Sequence, residues 1–313
     1  MVIEILILAL LGLLVCSILG ANNASACFGA SVGAGLAKYS ILAGVAALGA
    51  FLGVLLEGPK LSKAISGGIL TLEIDANLLW TIMITIFIVI TIATIFHLPL
   101  SLSEALIGSA IGIGLERQMS LNLGFTLTIF ISWLINPFFA AILSAIIHKI
   151  ITHYIYKIKN LLILNYIYVT FSLSLSFYVA YVLGANTVGL INGLYASFIS
   201  KAWIGAVMFG AATAMGIFFL SRGITKSVGK EIIGISPLSA LVAQMSGALT
   251  IHFFTQFGIP VSVTQALIGG IFGIGLAKTM VLVNKRMIQG IIMGWALAPL
   301  SGLIISYLIL KVI

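Results

Sequence analysis

Pro99-Leu-Ser-Leu-Ser-Glu-Ala-Leu-Ile-Gly-Ser-Ala-Ile-Gly-Ile-Gly-Leu115 returns 161 positions later as Pro260-Val-Ser-Val-Thr-Gln-Ala-Leu-Ile-Gly-Gly-Ile-Phe-Gly-Ile-Gly-Leu276. Both copies open on Pro and alternating hydroxyls, then run into apolar residues spaced by glycine. Pro suits the first turn of a helix and Ser or Thr caps it, so each copy reads as a helix that starts at its hydroxyls. Working outward, Gly20-Ala21-Asn22 is echoed by Gly184-Ala185-Asn186 at an offset of 164. Trp133 and Pro137 are echoed by Trp295 and Pro299 at 162, and Leu61-Ser-Lys-Ala-Ile65 resembles Ile224-Thr-Lys-Ser-Val228 at 163. Landmarks repeated in one order at a nearly constant period indicate a duplicated unit. The halves are 1–147 and 161–313, joined by a basic connector, 148–160, that carries His148, Lys149, His153, Lys157 and Lys159.

The chain has 313 residues, of which 61% are hydrophobic and 7% charged, with a mean hydropathy of +1.27. Soluble domains carry about 25% charged residues, so water is not the solvent for this composition. A hydrocarbon core about 30 Å thick takes about 20 apolar residues per helix. Stretches near 2–20, 78–96, 121–147, 161–183 and 287–312 satisfy that length. Shorter or Gly-interrupted runs near 24–37, 41–56, 99–115, 187–200, 203–220, 238–256 and 261–283 read as further spans, re-entrant hairpins or halves of broken helices. The expectation is an all-α polytopic membrane protein of about 10–12 membrane segments. Its two homologous repeats are inverted if each half crosses an odd number of times. Residues 1–20 lack a signal peptide's basic stretch and cleavage site and read as a retained first helix.

Fifteen Lys and Arg against seven acids give a net charge of +8. The cations gather in connecting segments, among them Lys60, Lys63, Lys149, Lys157, Arg222, Lys226, Lys230, Lys285 and Arg286. That is a positive-inside pattern, which puts 148–160 in the cytoplasm, and not a nucleic-acid footprint. Cys16 and Cys27 have no metal-ligand spacing and read as small core residues. A metal-dependent phosphotransferase would need clustered acids, and the chain has one Asp, Asp75, near Glu73.

Repeats with Gly- or Pro-interrupted helices at matching positions point to a secondary transporter with a midplane site. Gly20-Ala21-Asn22-Asn23 and Gly184-Ala185-Asn186-Thr187 are the expected breaks. Such a break exposes backbone donors and about half a positive charge at a helix N-terminus, which holds an anion without a buried Lys or Arg. The runs Pro99–Ser103 and Pro260–Thr264 make the same offer, one per half. Small residues also let membrane helices pack closely, and each motif alone has that plainer reading.

These residues resemble the inorganic phosphate transporters, a family in which each half carries a Gly-Ala-Asn-Asp type motif and a Pro-Val-Ser-Thr-Thr-His type hairpin. The resemblance covers nearly the whole chain. It implies a phosphate permease of the cell membrane, with a substrate site between inverted repeats at Asn22, Asn23, Ser101, Ser103, Asn186, Thr187, Ser262 and Thr264. No cofactor is implied beyond a coupling cation, proton or sodium. The partners implied are inorganic phosphate or a similar oxyanion and the lipid bilayer. A homo-oligomer is compatible with this reading.

The chain departs from the family pattern where the chemistry is densest. The motif Asp is replaced by Asn23 and Thr187, the motif's second Asn by Ala26 and Leu190, and the hairpin His by Glu104 and Gln265. Losing two carboxylates removes anionic ligands that sodium favours, and relieves repulsion against a dianion. Sulfate, carried by a related branch, is therefore the competing substrate, with proton coupling. An ionisable residue inside the membrane is a functional hypothesis by default, which nominates Glu104 as the carrier of the coupling proton. Glu57 with Lys60 and Lys63 reads as interface anchoring, while His97 and His252 are left outside the site. A distant alternative is an intramembrane hydrolase using the Gly-x-Ser-x-Gly match at Gly29–Gly33.

Overall fold

A helix whose backbone meets lipid must satisfy every N–H and C=O within itself, and this chain answers with helix almost throughout. The computed structural model describes residues 2–71, 74–95, 100–199, 201–223, 225, 236–278 and 285–312. Pro99, His97, Lys226 and Lys230 lie outside them. The first half holds α1 (Val2–Gly33), α2 (Tyr39–Leu56), α3 (Ala76–Ile95), α4 (Leu102–Glu116) and α5 (Leu123–Ile155), with a single 3₁₀ turn at Gly58–Leu61. In the second half α6 (Leu161–Leu183) widens into a π turn at Gly184–Val188 and continues as α7 (Gly189–Leu194). After it come α8 (Ala202–Met215), which ends in a π turn at Gly216–Leu220, then α9 (Pro237–Gln256), α10 (Val263–Lys278) and α11 (Lys285–Val312).

Eight helices among the described residues are long and apolar enough to cross a membrane. The remaining α4 and α10 have 15 and 16 residues. At 1.5 Å per residue they reach about 22–24 Å, short of a core of about 30 Å. They are the two copies of the opening segment; their starts are buried inside the protein, while their far ends are exposed at Leu115 and Leu276. The faces turned outward are apolar: Leu127, Leu134 and Phe138 on α5 are all exposed, as a lipid-facing surface requires.

The expected helix break at Gly20–Asn23 does not occur, because α1 runs unbroken through it. Gly20 serves another need: a Cβ there would collide with the Thr213 carbonyl of α8. The matching position, Gly184, presses on the Ala50 carbonyl of α2, and there the helix widens without breaking. Small residues at these positions let backbones touch, so close packing explains the glycines. The apolar run at 24–37 accordingly belongs largely to α1. In the same way α5 carries helix through His148 to Ile155, and only 156–160 connects it to α6.

The two short helices seat on the opposite halves. In α4, Gly108 lies against the Pro299 carbonyl of α11, and in α10, Gly269 lies against the Pro137 carbonyl of α5. Gly108 and Gly269 are the positions paired at an offset of 161, and Pro137 and Pro299 are paired at 162.

Candidate functional site

The starts of α4 and α10 meet. Ser101 caps α4, accepting from the Glu104 amide at 3.5 Å, and Ser262 accepts from the Gln265 amide at 3.3 Å. The two starts are tied together where the Ser103 hydroxyl donates to the Val261 carbonyl at 3.1 Å. On the α10 side the Ser262 and Thr264 hydroxyls hydrogen-bond at 2.9 Å. From α5, Trp133 Nε1 donates to the Pro260 carbonyl at 3.0 Å, and Asn136 Nδ2 donates to the Ser262 carbonyl at 2.9 Å. The Pro260 segment is thereby clamped from both sides.

Between these starts and α1 lies a narrow recess, with about 10 Å³ of free space, whose polar lining is Asn23, Ser101, Ser103, Thr187 and Thr264. Five of the eight residues nominated from the resemblance converge there. Asn22 lines an adjoining recess with Asn23 and Ser101, and its amide donates to Thr94 Oγ1 at 3.0 Å. Asn186 and Ser262 stand behind the lining. Asn186 is fully buried and donates to Thr255 Oγ1 at 2.9 Å, while its Oδ1 has no partner.

Among the described residues no Lys, Arg, His, Asp or Glu lines either recess. Positive potential comes instead from the first turns of α4 and α10, whose leading N–H groups have no intrahelical acceptor. Two helix starts with hydroxyl and amide donors have the chemistry that oxyanions seek. Glu104 lies one turn behind, fully buried. Among the described residues neither of its carboxyl oxygens has a hydrogen-bond partner in good geometry, the Ser262 and Ser101 hydroxyls being its polar neighbours.

Sequence reasoning missed three residues that shape this region. Asn136 was legible only as the neighbour of a repeated Pro. Thr255, which holds Asn186, carried no signal. Nor did Gln244, whose amide donates to the Ala26 carbonyl at 3.0 Å, at the place where the motif's second Asn is missing.

Residues 19–306 match the model of the PHO4 phosphate transporter family. The chain belongs to that family. Among its relatives is a candidate phosphate permease of Methanocaldococcus jannaschii, 29% identical over 95% of this chain and 93% of the relative. The sulfate permease CysP of Bacillus subtilis is 27% identical over 94% of this chain and 83% of its own length. A solved structure titled "The sodium-dependent phosphate transporter" superposes with a TM-score of 0.84 over 99% of both chains at 21% identity, which establishes the fold. This phosphate transporter family member is a multi-pass protein of the cell membrane and not an enzyme. The hydrolase reading also fails locally: Gly29–Gly33 lies inside α1, whereas a nucleophile elbow sits on a sharp strand-to-helix turn.

Proposed function

We propose that this protein is a secondary transporter that moves inorganic phosphate across the cell membrane by alternating access, coupled to a cation gradient. The observation that carries the reading is the convergence of Asn23, Ser101, Ser103, Thr187 and Thr264 on one recess at two helix starts. Its polar lining is of neutral hydroxyls and an amide, all able to donate, which suits an anion that brings four acceptor oxygens and needs no counter-charge from a side chain. The reciprocal seating of Gly108 on Pro299 and Gly269 on Pro137 supports two related halves rocking about a shared site. Glu104, buried without a partner beside the recess, is the group we assign to the coupling proton.

Sulfate is the second reading. Among the described residues no carboxylate lines the recess to accept the proton of a phosphate or to repel a fully deprotonated dianion, so the charge of the lining suits both. The similarity to a sulfate permease over 94% of the chain favours the same caution in choosing the anion.

Radiolabelled phosphate uptake into liposomes containing the purified protein, with sulfate as competitor and sodium or proton gradients imposed in turn, tests both. Saturable phosphate uptake that sulfate leaves unchanged supports the first reading. Uptake displaced by sulfate supports the second, and the absence of saturable uptake of either anion refutes transport at this recess.

A further inference from the structure

Glu57 ends α2 in the first half, while Tyr178 on α6 and His252 on α9 belong to the second, and the fold gathers them outside the recess. His252 Nε2 lies 3.0 Å from Glu57 Oε2, and His252 Nδ1 lies 2.8 Å from the Tyr178 hydroxyl. The same carboxylate oxygen accepts from Gln256 Nε2 at 2.9 Å and pairs with Lys60 at 3.3 Å. Tyr181, the remaining titratable neighbour, stacks edge-on at 6.1 Å from the His252 ring and approaches Glu57 with its hydroxyl. Glu57, Lys60, Tyr178 and Tyr181 are thus the titratable groups that surround the imidazole on α2, the 3₁₀ turn and α6.

The chemistry of this arrangement accepts a proton without losing a hydrogen bond. A carboxylate can only accept, so Nε2 carries the hydrogen toward Glu57 in either state. With neutral imidazole the Tyr178 hydroxyl donates to Nδ1. With imidazolium Nδ1 donates to Tyr178, whose hydroxyl turns to accept. Protonation therefore leaves the geometry standing and turns the Nε2 contact from a hydrogen bond of neutral imidazole to a carboxylate into an imidazolium–carboxylate ion pair.

The same turn of α9 reaches the recess. Thr255, next to Gln256, takes the Asn186 amide at 2.9 Å, and the next residue in the π turn, Thr187, lines the recess. We propose that Glu57, His252 and Tyr178 form a proton-binding site that positions the recess: a proton on His252 tightens the hold of α2 on α9, and Thr255 with Asn186 passes that hold to Thr187. These are positioning residues, since none of them touches the recess. The inference rests on the recess being the substrate site. By linkage, an anion bound there and a proton bound at His252 strengthen each other by one common factor.

Two readouts test it, each followed from about pH 5 to about pH 8. The first is the KM for phosphate uptake in the native protein, His252→Gln and Glu57→Gln. The ratio of variant to native KM at each pH removes the titration of phosphate itself. Gln at 252 can still donate to Glu57 and accept from Tyr178, so it stands for neutral imidazole. Expected is a ratio of about fivefold or more at the acid end, falling toward one at the alkaline end, with the maximal rate less affected.

The second readout needs no transport. A Thr187→Cys probe is labelled with a maleimide in native and His252→Gln backgrounds, the native Cys16 and Cys27 being fully buried. The ratio of rates at each pH cancels the thiol's own ionisation. It should exceed one at acid pH and converge at alkaline pH, and adding Thr255→Val should abolish the difference. A ratio that stays flat in both readouts, or a Thr255→Val protein that keeps the pH-dependent labelling difference, overturns the proposal. A pH-dependent labelling ratio in a protein that takes up no phosphate would keep the proton site and sink the transport reading instead.

Discussion

Replacing Glu104 by Gln isolates the charge at the recess with almost no change of shape. The native carboxyl is fully buried, and neither oxygen has a hydrogen-bond partner. An ionised carboxylate kept there would cost several kcal/mol even after relaxation, which one proton removes. One proton per cycle sets a thermodynamic ceiling: with the membrane potential held at zero, each unit of pH gradient is worth about 1.4 kcal/mol, or about tenfold accumulation of the anion. Proteoliposomes carrying the native protein should therefore concentrate phosphate about tenfold under a one-unit inward-directed gradient, whereas Glu104→Gln should only equilibrate it. Exchange of internal for external phosphate without a gradient should survive, because the recess lining is untouched. The thermal midpoint should not fall, since the amide adds donors where Ser101 and Ser262 offer acceptor oxygens. Undiminished gradient-driven accumulation by Glu104→Gln would remove Glu104 from the coupling mechanism. Loss of exchange together with accumulation would mean that the residue serves binding instead.

Three further outcomes follow from the packing. Asn136→Ala leaves the buried Ser262 carbonyl without its 2.9 Å donor, which should cost about 1–3 kcal/mol in unfolding experiments and raise the KM by loosening the start of α10. Gly108→Ala and Gly269→Ala drive a methyl group into the Pro299 and Pro137 carbonyls; each should destabilise by about 1–3 kcal/mol, seen as a lowered thermal midpoint in detergent. Similar losses at both positions would fit equivalent seats, and a change harmless at either one would contradict the close contact. Burial alone would push the Glu57 carboxyl up, but the hydrogen bond from Gln256, the His252 charge and Lys60 outweigh it and hold the group below the usual carboxylate range. Its stabilising contribution is then complete above the unfolded value of about 4.3 and disappears as pH falls through the lower folded one. Glu57→Gln should show a shallower loss of thermal midpoint across that acid range, and an unchanged slope would deny the cluster any energetic weight.

Much of the architecture was legible because it depends on local composition. An apolar helix about 20 residues long must lie in lipid whatever its neighbours, and two copies of a Pro-x-Ser segment that share Ala-Leu-Ile-Gly and Gly-Ile-Gly-Leu are recognisable by eye. Five of the residues nominated from the motifs line one recess, but the reason given for the glycines was wrong. Gly20 looks like a helix breaker on paper, and only the carbonyl of Thr213, brought against it from α8, shows that the position has to be small.

The sequence by itself determined the solvent, the helical class and the recurrence of one hydroxyl-rich segment, since composition and nearest-neighbour chemistry decide these. Tertiary structure alone decided which residues face the recess, that Asn186 and Ser262 support it from behind, and that Asn136 clamps it. It also joined Glu57 to His252 across 195 positions of chain. Contacts of that kind arise when helices cross, and a crossing is set by where two backbones can approach, which no stretch of either helix encodes alone.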